Sequence, residues 1–131
     1  MKAFRWLDRR IAAPGPYLTL CLHEHEFRSA LRKLGEAYSG AWVNKGAQAT
    51  MHYLDGPRGD LCCIVCIDEW QGRKPVQVAG LLVHESVHIW QQYCRRIGET
   101  NPGDEQEAYA VQSIAQELMA EFARRMEAVG R

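Results

Sequence analysis

Two histidines and a glutamate stand at the spacing that catalytic zinc sites use. His84, Glu85 and His88 belong to the sequence His-Glu-Ser-Val-His, an HExxH motif. In a helix, residues four apart share one face and lie roughly 6 Å apart along the axis, so both imidazoles could bind one zinc ion at about 2.0–2.1 Å. Glu85 lies about 100° around the helix from His84, where a carboxylate could act as base toward metal-bound water. The motif predicts a zinc centre if this segment is helical.

The segment 75–97 has the signals of a helix. Pro75 fits a first helical turn, Gly98 fits the position after the last turn, and Arg95 and Arg96 suit the negative end of the helix dipole. Two apolar stripes run along it, one of Val76, Ala79, Val83, Val87, Trp90, Cys94 and Ile97 and the other of Val78, Leu82, Ile89 and Tyr93. We therefore predict a buried central helix, in which the histidines either bind a metal or are hydrogen-bonded core residues.

Length and composition favour one soluble domain. The 131 residues suit a single domain, 1–131, with one hydrophobic core. The 16 basic and 16 acidic residues cancel, so no strong field favours nucleic acid as a partner. No apolar run is long enough to span a membrane, and the first residues lack a signal-peptide core, so we expect a cytoplasmic protein.

The five cysteines are interpreted as free thiols. Their number is odd, and most stand in apolar stretches of a chain that can build its own core. Cys63 and Cys66 have CxxC spacing, but residues three apart on a strand point to opposite faces. A structural zinc site at that pair is therefore not expected.

The remaining elements indicate an α+β domain. After a basic, turn-rich lead over 1–16, we predict a strand over 17–22, a helix from His23 to about Tyr38, extended structure over 41–54, a strand over 61–67 and a last helix over 104–129. The run His-Glu-His-Glu at 23–26 is interpreted as a solvated helix start. The two segments 41–54 and 61–67 should form a hairpin, giving a small antiparallel sheet packed on a helical layer.

A catalytic zinc site usually has three protein ligands, so the chain should supply one more. The nearest acids after the motif are Glu105 and Glu107, at the start of the last helix. An HExxH helix, a tight loop and a second helix with Glu before Ala resemble the gluzincin metallopeptidases. The sequences HESVHIWQ and EQEAYAVQ also resemble small phage- or prophage-encoded metallopeptidases, and the ExEA pattern is similar to that of the ImmA/IrrE-type regulatory proteases.

The resemblance covers about residues 76–120 and implies a minimal zincin-like domain that holds Zn²⁺ through His84, His88 and a glutamate of the following helix. The apolar face that we predict for that helix consists of Ala108, Val111, Ala115, Leu118, Met119 and Phe122. Glu105 and Glu107 flank this face on opposite sides, so burial does not choose between them. We favour Glu105 because Ala108 and Gln112 share its side and because the ExEA resemblance points to the first glutamate.

Residues that orient the ligands or stabilise an oxyanion are less clearly marked. The acid that orients one histidine in thermolysin-like enzymes has no counterpart here, so Gln112 or a backbone carbonyl is the candidate. His52, Tyr53 and Tyr93 are available for an oxyanion, but ordinary packing is the favoured interpretation of each of them.

Two functions from different classes follow. The first is a zinc metallopeptidase in which Glu85 is the general base and a peptide or protein substrate adds to an edge strand, either 61–67 or part of 41–54. The alternative is a zinc-binding accessory or interaction protein of phage origin without turnover. The retained Glu85 favours the peptidase, because a purely structural metal site has no use for that acid.

Overall fold

The computed structural model describes residues 3–7 and 16–129. The strands are β1 (Trp6–Leu7), β2 (Tyr17–Cys21), β3 (Ala49–Asp55) and β4 (Leu61–Ile67), and the helices are α1 (Glu24–Lys33), α2 (Pro75–Ile97) and α3 (Asp104–Val129). A single 3₁₀ turn, Trp70–Gly72, connects β4 to α2. The α+β class is thereby confirmed, and residues 8–15 of the predicted N-terminal lead lie outside the described residues.

The sheet is mixed, so the prediction of an antiparallel sheet was wrong. Its strand order is β1-β2-β4-β3, with β2 and β4 parallel and the two outer pairs antiparallel. A parallel pair needs a crossover connection, which here runs through α1 and β3. The predicted hairpin of β3 and β4 is present, and it leaves β3 at one edge. Leu61–Ile67 lies inside the sheet, so its proposed role as an edge strand was also wrong.

Helices cover both faces of the sheet. α2 and α3 pack on one face, where Leu18, Leu20, Cys63 and Val65 point toward them. α1 packs on the other face against alternating strand residues, among them Cys21, Ile64 and Cys66. β4 is buried along its whole length, as expected for a strand covered on both sides. The five cysteines are buried free thiols, and burial raises the pKa of the Cys63 thiol to about 12.

Two predicted elements are shorter than expected. α1 ends at Lys33 because Gly35 takes a left-handed conformation with φ 74°, and the N–H of Glu36 donates to the carbonyl of Leu31 at 2.9 Å. This arrangement is the Schellman motif, and the glycine was its signal in the sequence. In the segment 41–54, residues up to 48 are turns and loop, and the strand begins only at Ala49. β1 had not been predicted.

α2 is confirmed in extent, but it is buried on one side only. It begins at Pro75 and ends where Gly98 adopts φ 75°. The stripe that contains Val78, Leu82 and Ile89 is buried, whereas most of the other predicted stripe is solvent-exposed: Val76, Val83, Val87 and Ile97. The prediction of a helix buried on two sides was therefore wrong, and one face of α2 is open to solvent.

The buried face of α3 differs from the predicted one. Its buried apolar residues are Ala110, Ile114, Ala115 and Leu118, whereas Ala108 is exposed. Ala115 and Leu118 of the predicted face are thereby confirmed, and Ala110 and Ile114 had not been predicted. Further along the same face, the fully buried Arg125 forms an ion pair with Glu26 of α1 and donates to the carbonyl of Leu20 at 3.1 Å. The run 23–26 is consequently not a fully solvated helix start, since Glu26 is buried.

Within the described residues, no helix combines the length and the hydrophobicity that a membrane span requires.

Candidate metal centre

The HExxH residues line an open cavity of about 290 Å³ between α2 and the edge strand β3. From α2 the cavity is lined by His84, Glu85, His88, Gln92 and Arg95, and from the other side by Asn44, Ala49, Thr50, Met51 and Tyr53. His84 and His88 are exposed, which excludes the interpretation that they are hydrogen-bonded core residues. The motif therefore faces a space that a ligand can enter.

The two histidines point the same ring nitrogen at each other. Nε2 of His84 and Nε2 of His88 are 3.2 Å apart, and the ring centroids are 4.8 Å apart. Two nitrogens that bind one tetrahedral zinc at about 2.0–2.1 Å lie about 3.3–3.4 Å from each other. The observed separation is close to this value, so the two Nε2 atoms are near enough to each other to share one metal ion.

Gln91 fixes the tautomer of one imidazole. Nδ1 of His88 lies 3.0 Å from Oε1 of Gln91, three residues later on the same helix. Because an amide oxygen only accepts, Nδ1 carries the hydrogen and donates it, which leaves a lone pair on Nε2 of His88. A metal-binding histidine generally needs such a partner on its other nitrogen. The partners predicted from the sequence were Gln112 or a backbone carbonyl, so Gln91 was missed; its signal was its position three residues after His88.

Glu85 lies at the inner wall of the cavity. It is 4% exposed, whereas the histidines on either side of it in the motif face solvent. Burial raises the pKa of the Glu85 carboxyl, and the nearby imidazoles of His84 and His88 act in the opposite direction. A raised pKa brings a carboxylate closer to the range in which it exchanges protons with water near neutral pH.

β3 and α2 flank the cavity over similar lengths. Arg96 of α2 forms an ion pair with Asp55 at the end of β3, and its Nη1 donates to the carbonyl of Gly59 at 2.7 Å. From Ala49 to Asp55 the strand extends about 20 Å. From His84 to Arg96 the helix rises about 18 Å. The unpaired edge of the sheet therefore follows the cavity, with the C-terminal ends of strand and helix held together.

The predicted third ligand is not assembled with the histidines. Among residues 3–7 and 16–129, no group of three histidine, cysteine, aspartate or glutamate side chains is close enough to hold a metal ion. Glu105 and Glu107 are both exposed, and neither lines the cavity. The structure thus brings together His84, Glu85 and His88 and leaves the two acids of α3 outside this group.

The two acids nevertheless differ in where they face. Taking about 100° per residue, Glu107 lies within about 10° of the centre of the buried face defined by Ala110, Ile114, Ala115 and Leu118, whereas Glu105 lies about 155° from it. Oε2 of Glu107 accepts a hydrogen bond of 2.9 Å from Nε1 of Trp90, which belongs to α2. The expectation that the two acids flank the buried face of α3 on opposite sides was wrong.

Of the three aromatic residues considered as partners for an oxyanion, one lines the cavity and two do not. Tyr53 lines the cavity and is 55% exposed. Nε2 of His52 lies 2.7 Å from the carbonyl of Trp42, on the other side of the strand, and burial lowers the pKa of His52. Tyr93 is buried and stacks on Trp90. Gln112, the predicted orienting residue, is exposed. Of these residues, Tyr53 is the one at the cavity.

Comparison with known proteins does not add to this description. No protein-family model, no curated protein and no solved structure matches the chain.

Proposed function

We propose that the protein is a zinc-dependent metallopeptidase that hydrolyses a peptide bond in the cavity between α2 and β3. The observation that carries the proposal is the 3.2 Å separation of the two Nε2 atoms beside the buried Glu85. His84 and His88 would hold the metal. When bound, zinc supplies Lewis acidity, which polarises a carbonyl group and acidifies water.

Glu85 has the environment of a general base and acid. Its carboxylate would accept a proton from a water molecule in the cavity and donate it to the nitrogen that leaves the cleaved bond. Because burial raises its pKa, Glu85 gives up the acquired proton less readily to bulk water than an exposed carboxyl would. Gln91 would hold His88 in the tautomer that leaves Nε2 free to bind.

The substrate would lie as an extended peptide along β3. An edge strand presents unpaired backbone N–H and C=O groups, and pairing with them fixes the register of an added strand. β3 borders the cavity with Ala49, Met51 and Tyr53. The Tyr53 hydroxyl is a donor that could stabilise negative charge on the carbonyl oxygen during attack.

For the third protein ligand, the orientation of α3 favours Glu107 over Glu105. Glu107 is on the side of α3 that faces α2, where its carboxylate accepts a hydrogen bond from Trp90. Trp90 lies about 200° around α2 from His88, so Glu107 would have to leave Trp90 to reach the histidines. Glu105 would have to reach around the helix from the opposite side.

Metal content and turnover test the proposal together. Purified protein should contain about one zinc ion per chain, measured by elemental analysis, and His84→Ala or His88→Ala should lose it. Glu85→Gln should retain the zinc and the circular dichroism spectrum but lose hydrolysis of denatured casein or quenched peptides. Glu36→Gln, which removes an exposed acid of the α1–β3 connection, is the matched control. Equal zinc in wild type and both histidine variants would refute the metal site.

The same experiment separates a peptidase from a zinc-binding protein without turnover. Zinc loading without hydrolysis of any peptide, and with no difference between wild type and Glu85→Gln, would favour the non-catalytic alternative. The burial of Glu85 beside the histidines favours the peptidase, because a structural zinc site gains nothing from an additional buried acid.

A further inference from the structure

One end of the cavity carries a cation for which the proposed reaction has no use. Arg95 and Gln92 follow His88 on the same side of α2, at i+7 and i+4, and all three residues line the cavity. The histidine pair lies at the N-terminal end of this row of cavity-lining residues, and the guanidinium of Arg95 lies at its C-terminal end.

The surroundings of Arg95 leave it available to a ligand. Its Nη1 donates to Oε1 of Gln92 at 3.3 Å, which holds the guanidinium along the cavity side of the helix. Within the described part of the chain, no ion pair involves Arg95, whereas the adjacent Arg96 is bound to Asp55 and Gly59. Arg96 therefore attaches α2 to the end of β3, and Arg95 is not needed for that contact.

The distance from the histidines to Arg95 corresponds to a few residues of substrate. Seven residues separate His88 from Arg95, a rise of about 10 Å along the helix. An extended peptide covers about 3.3 Å per residue, so this rise equals about three residues. A peptide paired with β3, which follows α2 along the cavity, would bring a group about three residues from the cleaved bond to the guanidinium.

We infer that Arg95 binds a carboxylate of the peptide substrate, about three residues from the bond that is cleaved; this inference rests on the proposed peptidase function. A guanidinium pairs with a carboxylate through two parallel N–H donors, a geometry that lysine does not offer. The carboxylate can be an acidic side chain within the peptide or a free C-terminus. Arg95 is a specificity residue in this scheme and takes no part in proton transfer.

Binding of uncleaved peptides tests the inference without requiring turnover. The probes are fluorescein-labelled nonapeptides of alanine and leucine with blocked ends, in which one Glu is moved through successive positions, and a matched series with Gln. A second pair of probes differs only in a free or an amidated C-terminus. Affinity is measured by fluorescence anisotropy with the zinc-loaded Glu85→Gln protein.

We expect one Glu position, or the free C-terminus, to improve affinity about fivefold to tenfold over its neutral counterpart. This ratio of Glu to Gln peptide affinity should fall to about one when Arg95→Gln is added, remain partly with Arg95→Lys, and fall below one with Arg95→Glu. Arg32→Gln, an exposed arginine of α1 on the other face of the sheet, removes the same charge and should leave the ratio unchanged. The two series of probes show which source of carboxylate is bound.

Equal affinity of the Glu and Gln peptides at every position, or a ratio that persists in Arg95→Gln, would overturn the inference. So would the failure of every probe to bind. These results leave the proposed function to its own test, because zinc content and hydrolysis by wild type are measured separately. Conversely, failure of the proposed metal site would be seen as absence of zinc from the purified protein, independently of the peptide affinities.

Discussion

At the scale of single residues, the hydrogen bond from His88 to Gln91 has the clearest consequence for metal affinity. It places the hydrogen of His88 on Nδ1 and leaves Nε2 to face its counterpart on His84. Gln91 is exposed and belongs to the same helix turn as His88, so it contributes little to the core. Its role is confined to the orientation and tautomer of one imidazole.

Gln91→Leu should weaken zinc binding about tenfold, because the tautomer and orientation of His88 are then no longer fixed. The measurement is a competition titration against a fluorescent zinc chelator. Gln91→Glu keeps an acceptor and should bind at least as tightly as wild type. Gln116→Leu, at an exposed position of α3, is the control. An unchanged affinity of Gln91→Leu would show that Gln91 does not orient the ligand.

At the scale of elements, the contact between α2 and α3 sets the orientation of the two acids considered as third ligand of the proposed metal site. Trp90 draws the carboxylate of Glu107 to α2, while Glu105 points away from the buried face of α3. With Glu107 as the proposed third ligand, Glu107→Ala should lower zinc affinity by at least about tenfold, and Glu105→Ala should leave it nearly unchanged. The same chelator titration distinguishes them. The reverse pattern would return the role to Glu105, as the sequence alone suggested.

The elements themselves differ in how far local sequence determined them. α2, α3 and β4 were predicted because periodicity, a first-turn proline and a terminal glycine act within a few residues. The parallel pairing of β2 with β4 was not predicted, because strand pairing joins segments that are distant in sequence. The apolar run Leu61–Ile67 indicated only that this strand is covered on both faces. The orientations of Glu105 and Glu107 were not predicted for a similar reason, since the buried face of α3 is set by what it packs on.

The candidate site also combines residues that local sequence identifies with residues that only the folded arrangement places. His84, Glu85 and His88 were found because their spacing is local to one helix. Tyr53 at the cavity wall and Arg95 at its end could not be placed, because the cavity forms only when the edge strand packs beside α2.

At the scale of the whole molecule, a buried ion pair joins the two helical layers around the sheet. Arg125 of α3 and Glu26 of α1 are both buried, and Oε1 of Glu26 also accepts from the N–H of Leu22 at 2.8 Å. A buried pair adds little net stability over apolar residues, but removing one partner leaves the other charge without compensation.

Arg125→Met should lower the free energy of unfolding by about 3–5 kcal/mol, since the Glu26 carboxylate would remain buried and unpaired. Adding Glu26→Gln should recover part of the loss, because the amide oxygen can still accept from Leu22 and no charge remains. Urea denaturation followed by circular dichroism measures both. Arg32→Met, on the exposed side of α1, should stay within about 0.5 kcal/mol of wild type. A double variant no more stable than Arg125→Met would contradict this account.

This ion pair also bears on the order in which the protein can fold during its synthesis. Glu26 leaves the ribosome 99 residues ahead of Arg125, and Leu20, whose carbonyl also binds Arg125, leaves 105 residues ahead of it. Until α3 emerges, the carboxylate of Glu26 can avoid an uncompensated buried charge only by staying in water. α1 consequently cannot close over the sheet at that stage in its final form. Completion of the domain is therefore a late event that waits for the last helix.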